Sequence, residues 1–80
     1  MDHDQLRCAA RQIVAEILEL GDDEVRDDAP FSELGADSIQ QMEIVAALRA
    51  RFGVHFTLNE ESRLGTVDDA VAITAAHLRA

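Results

Sequence analysis

Leu34-Gly35-Ala36-Asp37-Ser38-Ile39 closes a polar, irregular segment and opens the most regular amphipathic run in the chain, so its reading decides how the rest folds. Gly35 is free to take backbone angles that other residues avoid. Asp37 is a favoured helix N-cap, and Gln40, three residues on, is placed to return the second hydrogen bond of a capping box. Ser38 therefore falls on the first turn of a helix, with its hydroxyl exposed. An anionic group joined to it would meet unpaired N–H groups and the positive end of the helix dipole. Read alone, Asp-Ser ahead of an apolar helix is also ordinary helix punctuation.

Outward from this point the chain divides into helical runs. Residues 38–52 predict a helix with Met42, Val45, Leu48 and Phe52 as the inward stripe and Ile39 and Ala46 on another face. Gly53 is suited to end it. Val54-His55-Phe56-Thr57-Leu58 alternates like an extended connector, with Val54, Phe56 and Leu58 toward the core and His55 toward solvent. Residues 59–63 read as a short helical turn, and Thr66-Val67-Asp68-Asp69 as the cap of a last helix over 66–79, with Val67, Ala70, Val71, Ile73 and Leu78 as its apolar residues.

Toward the N-terminus, residues 21–37 are too polar for a long helix and read as a structured loop pinned by Val25, Phe31 and Leu34. Residues 4–20 read as a long helix with Leu6, Ala10, Ile13, Ile17 and Leu20 at helical spacing, widened by Val14 and Leu18. Asp2 or Asp4 caps it and Gly21 follows its end. The expected architecture is all-α: a small antiparallel bundle of three longer helices and a short one, with a long loop between the first two, in a single domain over 1–80.

Composition bounds the function. Eighty residues lie near the lower limit for a self-sufficient core, and with 48% hydrophobic but only 4% aromatic residues that core is mostly aliphatic. Cys8 is the only cysteine, so no internal disulfide forms and a reducing cytoplasm is the simplest compartment. No apolar run approaches a membrane span, and Met1-Asp2-His3-Asp4 lacks the features of a signal peptide. A formal net charge of -9 argues against nucleic acid and favours partners with basic docking surfaces. Much of that charge sits between Asp22 and Asp37.

Several chemistries lack their residues. Asp22-Asp23-Glu24 with Asp27-Asp28 has neither the spacing nor the central glycine of an EF-hand, and reads as solvated acidic surface. His3, His55 and His77 have no zinc-type spacing among themselves or with Cys8, and each reads as a surface residue. Ser38 has no histidine-acid pair ordered around it and no Gly-x-Ser-x-Gly elbow. No phosphate-cradling Gly-rich loop is present. Cys8, among alanines in the first helix, reads as packing or surface, since no positively charged neighbourhood for a reactive thiol is evident in the sequence.

The hexapeptide together with Met42-Glu43-Ile44-Val45, Leu48 and Phe52 resembles the attachment site and second helix of acyl carrier proteins. Their pattern is Gly-x-Asp-Ser-(Leu or Ile), then a helix with a Glu-aliphatic pair and a closing Phe. The likeness runs over almost the whole chain and includes a short third helix where residues 59–63 stand. It implies that Ser38 is esterified with 4'-phosphopantetheine from coenzyme A by a magnesium-dependent phosphopantetheinyl transferase. Acyl groups then ride as thioesters on the arm's terminal thiol, and chemistry belongs to partners such as a ketosynthase or acyltransferase. The chain itself would be a carrier, not an enzyme. By the same resemblance Asp37, Ile39, Met42, Glu43 and Ala46 contact partner enzymes, although for Met42 core packing is equally open on the spacing alone. A groove between helices, lined by Ile39, Val45 and Phe56, is an expectation for sheltering cargo.

Departures from the pattern narrow the pathway. Gln40 and Gln41 follow the serine and Arg49, Ala50 and Arg51 occupy the far end of the helix, leaving Glu43 its only acid after Asp37, whereas fatty-acid carriers are strongly acidic there. Because electrostatic matching selects partners, a polyketide-type or related natural-product pathway is expected. Peptidyl carriers are the alternative, but they often show Gly-Gly-(His or Asp)-Ser, and Ala36 leans toward the acyl type. A start just before the first helix and a stop just after the last suit a discrete, monomeric carrier acting in trans. From another class, the alternative is a helical interaction module in which Ser38 is only part of a cap.

Overall fold

A computed structural model describes residues 2–79; Met1 and Ala80, the ends of the expected 1–80 domain, lie outside the described residues. The described residues form α1 (His3–Leu18), a 3-10 turn (Asp22–Glu24), α2 (Ser38–Phe52), α3 (Leu58–Arg63) and α4 (Val67–Arg79), with no strand among them. The chain is an all-helical bundle in which α1 packs against both α4 and α2.

Each long helix begins where a short polar side chain can satisfy the first free N–H groups. Asp2 Oδ1 accepts from the Gln5 N–H at 2.8 Å while the Gln5 side chain accepts from the Asp2 N–H at 2.9 Å. Thr66 and Asp69 make the reciprocal pair at the head of α4, both at 3.0 Å. Thr57 and Glu60 do the same for α3, at 2.9 and 3.1 Å. That Thr57 cap sets α3 off at Leu58 and not near Asn59.

It also overturns the expectation for Leu58. The alternating pattern holds through Val54 and Phe56, which are buried, but Leu58 is already the first helical residue and stands 85% exposed. Period-two alternation stops where helical geometry starts.

The end of α1 differs from expectation as well. The helix stops at Leu18, short of the expected end at Leu20, and Glu19 takes the left-handed conformation (φ 56°, ψ 48°). The Leu20 N–H reaches back to the Ala15 carbonyl at 2.9 Å, a Schellman-type closure. A left-handed non-glycine costs about 1–2 kcal/mol, and the closure offsets it by turning Leu20 onto the core. Gly53 fills the same role after α2 at φ 65°, where glycine is the residue suited to it, and its N–H donates to the Arg49 carbonyl at 2.8 Å.

The core joins Leu6, Ala10 and Val14 of α1, Ile44 and Leu48 of α2, and Val67, Ala70 and Val71 of α4, sealed by Val25 and Phe31 from the long loop and by Val54, Phe56 and Leu64. Each fully buried aliphatic side chain contributes about 1.5–3 kcal/mol. Two inward stripes need correction. In α2 the buried residues are Ile44 and Leu48, with Val45 and Phe52 half-buried, while Met42 is 72% exposed. At 100° per residue Met42 sits roughly 160° around the helix from Ile44. Helix α2 carries apolar residues on two faces, so spacing alone does not choose the inner one. In α4 the stripe is Val67, Ala70, Val71, Thr74 and Ala75, which leaves Leu78 47% exposed.

The loop between α1 and α2 is held by its backbone as much as by its apolar anchors. The Phe31 N–H donates to the Gly65 carbonyl at 2.8 Å and the Asp68 N–H to the Asp27 carbonyl at 3.0 Å, so the loop is laced to the start of α4. Arg7 of α1 joins the same corner by pairing with Asp68 and, at 3.0 Å, with Asp27. These contacts, Asp68 foremost, hold the Arg7 guanidinium above its ordinary pKa.

Candidate functional site

The loop delivers the chain to α2 through a compact turn. Leu34 N–H donates to Phe31 O at 3.0 Å, Gly35 N–H to Ser32 O at 3.2 Å and Ala36 N–H to Phe31 O at 3.0 Å. Gly35 closes the turn at φ 99°, a backbone angle that side chains rarely tolerate. Phe31 and Ala36 are buried, so this turn is fastened to the core directly ahead of the helix. The Gln41 side chain donates back to the Ala36 carbonyl at 3.4 Å, tying the first turn of α2 to the segment that enters it.

Asp37 then caps α2. Its Oδ1 accepts from the Gln40 N–H at 2.8 Å, and Gln40 Oε1 accepts from the Asp37 N–H at 3.1 Å. Ser38 is the first residue of the helix and is exposed. Among the described residues no hydrogen bond engages its hydroxyl. The other two serines differ: Ser62 donates its hydroxyl to the Asn59 carbonyl at 2.6 Å within the short α3, and Ser32 lies inside the turn. Ser38 alone combines an unengaged hydroxyl with the N-terminus of a long helix, where the dipole favours an attached anion.

Around it, Asp37, Ile39, Met42, Glu43 and Ala46 are all exposed. Ile39, Met42, Glu43 and Ala46 recur at i, i+3, i+4 and i+7, one face of α2. This face is apolar at Ile39 (69% exposed) and Met42, with Glu43 its single acid. At the opposite end of the helix Arg49 and Arg51 complement the dipole.

A groove of about 520 Å³ runs beside Ser38 and is lined by Gln41, Met42, Val45, Ala46, Arg49, Glu61 and Leu64. Only Val45 of the three expected lining residues belongs to it. Ile39 stands out on the exposed face, and Phe56 is turned into the core, where it meets His77 edge-to-face at 5.8 Å. The second wall is α3 and the residue after it, whose approach to α2 depends on tertiary packing.

Two other features escaped the sequence. His77 Nε2 lies 2.8 and 2.9 Å from the two carboxylate oxygens of Glu60, linking α4 to α3, although His77 read as plain surface. The Thr57 N–H and then His77 hold the Glu60 carboxyl below its ordinary pKa of 4.5. Cys8 is exposed in a shallow depression with Arg7 and Arg11, the cationic neighbourhood that sequence did not locate. Both arginines are drawn to acids, Arg7 to Asp68 and Asp27 and Arg11 to Asp27 at 3.5 Å. Among the described residues no group of three or more His, Cys, Asp or Glu side chains converges on a metal site, and no helix is long and apolar enough to cross a membrane.

A family model described as "Phosphopantetheine attachment site" matches residues 8–73, from within α1 to within α4. The matched span contains Ser38 and the groove beside it.

Proposed function

Because the chain belongs to the phosphopantetheine attachment-site family, acyl-carrier-like domains that bear covalently attached 4'-phosphopantetheine, we propose that Ser38 is the residue esterified. The observation that carries this reading is the exposed, unengaged Ser38 hydroxyl at the head of α2, held by a turn fastened to the core. The donor chemistry fits the group: a free hydroxyl accepts a phosphodiester, and the adjoining N–H groups and helix dipole favour its negative charge.

Loading requires a phosphopantetheinyl transferase. Ser38 Oγ forms a bond to the phosphorus that carries pantetheine, the bond from that phosphorus to the adenosine-bearing phosphate breaks, and adenosine 3',5'-bisphosphate leaves while the hydroxyl proton passes to the transferase. Once bound, the group supplies a terminal thiol that holds acyl cargo as a thioester. The chain's own contribution is to keep Ser38 on a rigid helix and to present the face of Asp37, Ile39, Met42, Glu43 and Ala46 to partner enzymes such as a ketosynthase or acyltransferase. It performs no catalysis of its own and works in the cytoplasm.

The weakly charged face of α2 supports polyketide-type or related natural-product biosynthesis, since an apolar patch with Glu43 as its only acid beyond the Asp37 cap is poorly matched to partners selected for strongly acidic carriers. Intact mass before and after incubation with coenzyme A, magnesium and a permissive transferase tests the assignment. One phosphopantetheine is expected on the wild type and none on Ser38→Ala. Mass gain on the variant would move the site elsewhere. No gain on a folded wild type, with the transferase active on a control carrier, would favour an interaction module.

A further inference from the structure

We infer that Arg49 is a specificity-determining residue of the groove beside Ser38, one that reads a carboxylate carried by the acyl cargo; the inference rests on Ser38 being the attachment point. The groove has a direction set by α2. Ser38, then Gln41 and Met42, then Val45 and Ala46, then Arg49 follow one another at helical spacing along a single stripe. With about 1.5 Å of rise per residue, Arg49 stands roughly 16 Å from Ser38 along the helix axis. Attachment occurs at one end of the stripe, so what hangs from it is met successively by an apolar middle and by a cation.

The middle offers little discrimination. Met42, Val45, Ala46 and Leu64 provide only apolar contact, which distinguishes chains weakly by size. Of the lining residues only Arg49 and Glu61 carry charge. Arg49 is exposed and, among the described residues, lies within ion-pair distance of no carboxylate, in contrast to Arg7, Arg11 and Arg26. A guanidinium that is permanently charged and presents a planar fork of donors is the side chain best suited to a carboxylate. Glu61, half-buried on the α3 side, opposes a second anion in the groove and so limits the preference that Arg49 creates. The cargo class is therefore an acyl chain ending in a carboxylate.

A pair of cargoes alike in shape but not in charge tests this. Wild-type protein, Arg49→Gln and Glu61→Gln are loaded by the transferase with the succinyl and the 4-oxopentanoyl forms of coenzyme A, and loading is verified by intact mass. Backbone amide and Arg49 side-chain NMR signals are then compared. The wild type is expected to show shifts at Arg49, Ala46 and Leu64 that differ between the two cargoes. Arg49→Gln should lose that difference and Glu61→Gln should enlarge it. Protein that is loaded yet shows the same shifts with both cargoes, or a difference that survives Arg49→Gln, overturns the inference while leaving the carrier assignment standing. Protein that gains no mass overturns the attachment reading and this inference with it.

Discussion

Replacing Asp37 by Ala should destabilise the domain measurably, whereas replacing its neighbour Ser38 by Ala should not. The Asp37 carboxylate accepts from the Gln40 N–H at 2.8 Å, and the Gln40 side chain answers to the Asp37 N–H at 3.1 Å. Losing an N-cap of this kind costs about 1 kcal/mol, and losing a negative charge at the helix N-terminus about 0.5 kcal/mol more. A domain of this size has a total stability of roughly 4–12 kcal/mol. At about 4–8 °C per kcal/mol, Asp37→Ala should lower Tm by about 6–12 °C. Asp37→Asn keeps a side-chain acceptor and loses only the charge, so a fall of about 2–4 °C is expected. Ser38→Ala removes a hydroxyl that makes no hydrogen bond among the described residues and substitutes a better helix former, so its Tm should stay within about 3 °C of wild type. Thermal melts followed by circular dichroism at low ionic strength separate the three. If Ser38→Ala falls as far as Asp37→Ala, the Ser38 hydroxyl is part of the fold, and its availability for modification was misjudged.

Other expectations follow from burial and titration. Leu48 is fully buried between α2 and the rest of the core, so Leu48→Ala should cost about 2–5 kcal/mol in urea unfolding; a loss below about 1 kcal/mol would mean that α2 is not anchored there. Thr74 is 1% exposed and its Oγ1 has no hydrogen-bond partner among the described residues. Thr74→Val should therefore raise stability by about 1 kcal/mol, and a loss instead would reveal a partner for the hydroxyl. Glu60 has a folded pKa below its ordinary 4.5, chiefly through the Thr57 N–H and then His77. Since the folded state holds the proton less tightly than the unfolded chain, this group's stabilisation is present above pH 4.5 and disappears as pH falls through the lowered value. Wild type and Glu60→Gln should differ in urea midpoint at neutral pH and converge in acid; a gap that persists in acid would refute the assignment.

The parts of this protein that were legible in its sequence are those fixed by neighbours within about four residues. Asp37 and Gln40 announce a capping box whichever fold surrounds them, and Gly53 marks the end of α2 because glycine accepts its left-handed angle without strain. The start of α2 at Ser38 belongs to this class, because Asp37 and Gln40 fix it between them. Thr57 and Glu60 carry the same local signal. Reading Val54 to Leu58 as one alternating strand-like connector hid it, and with it the exposed position of Leu58.

What the tertiary structure decided is how those local pieces face one another. Helix α2 has apolar residues on two sides, and only the positions of α1 and the core select Ile44 and Leu48 for burial and leave Ile39 and Met42 outside. Glu60 meets His77 across 17 residues, and Phe31 reaches Gly65 across a far longer span, pairings to which no sequence periodicity points. The groove is of the same kind: Ser38 and Arg49 share a helix stripe, but Glu61 and Leu64 join them through the packing of a separate helix. Capping and backbone preference act over one turn and are written in adjacent residues, whereas burial depends on which distant surfaces exclude water together, and that is settled only when the whole chain has packed.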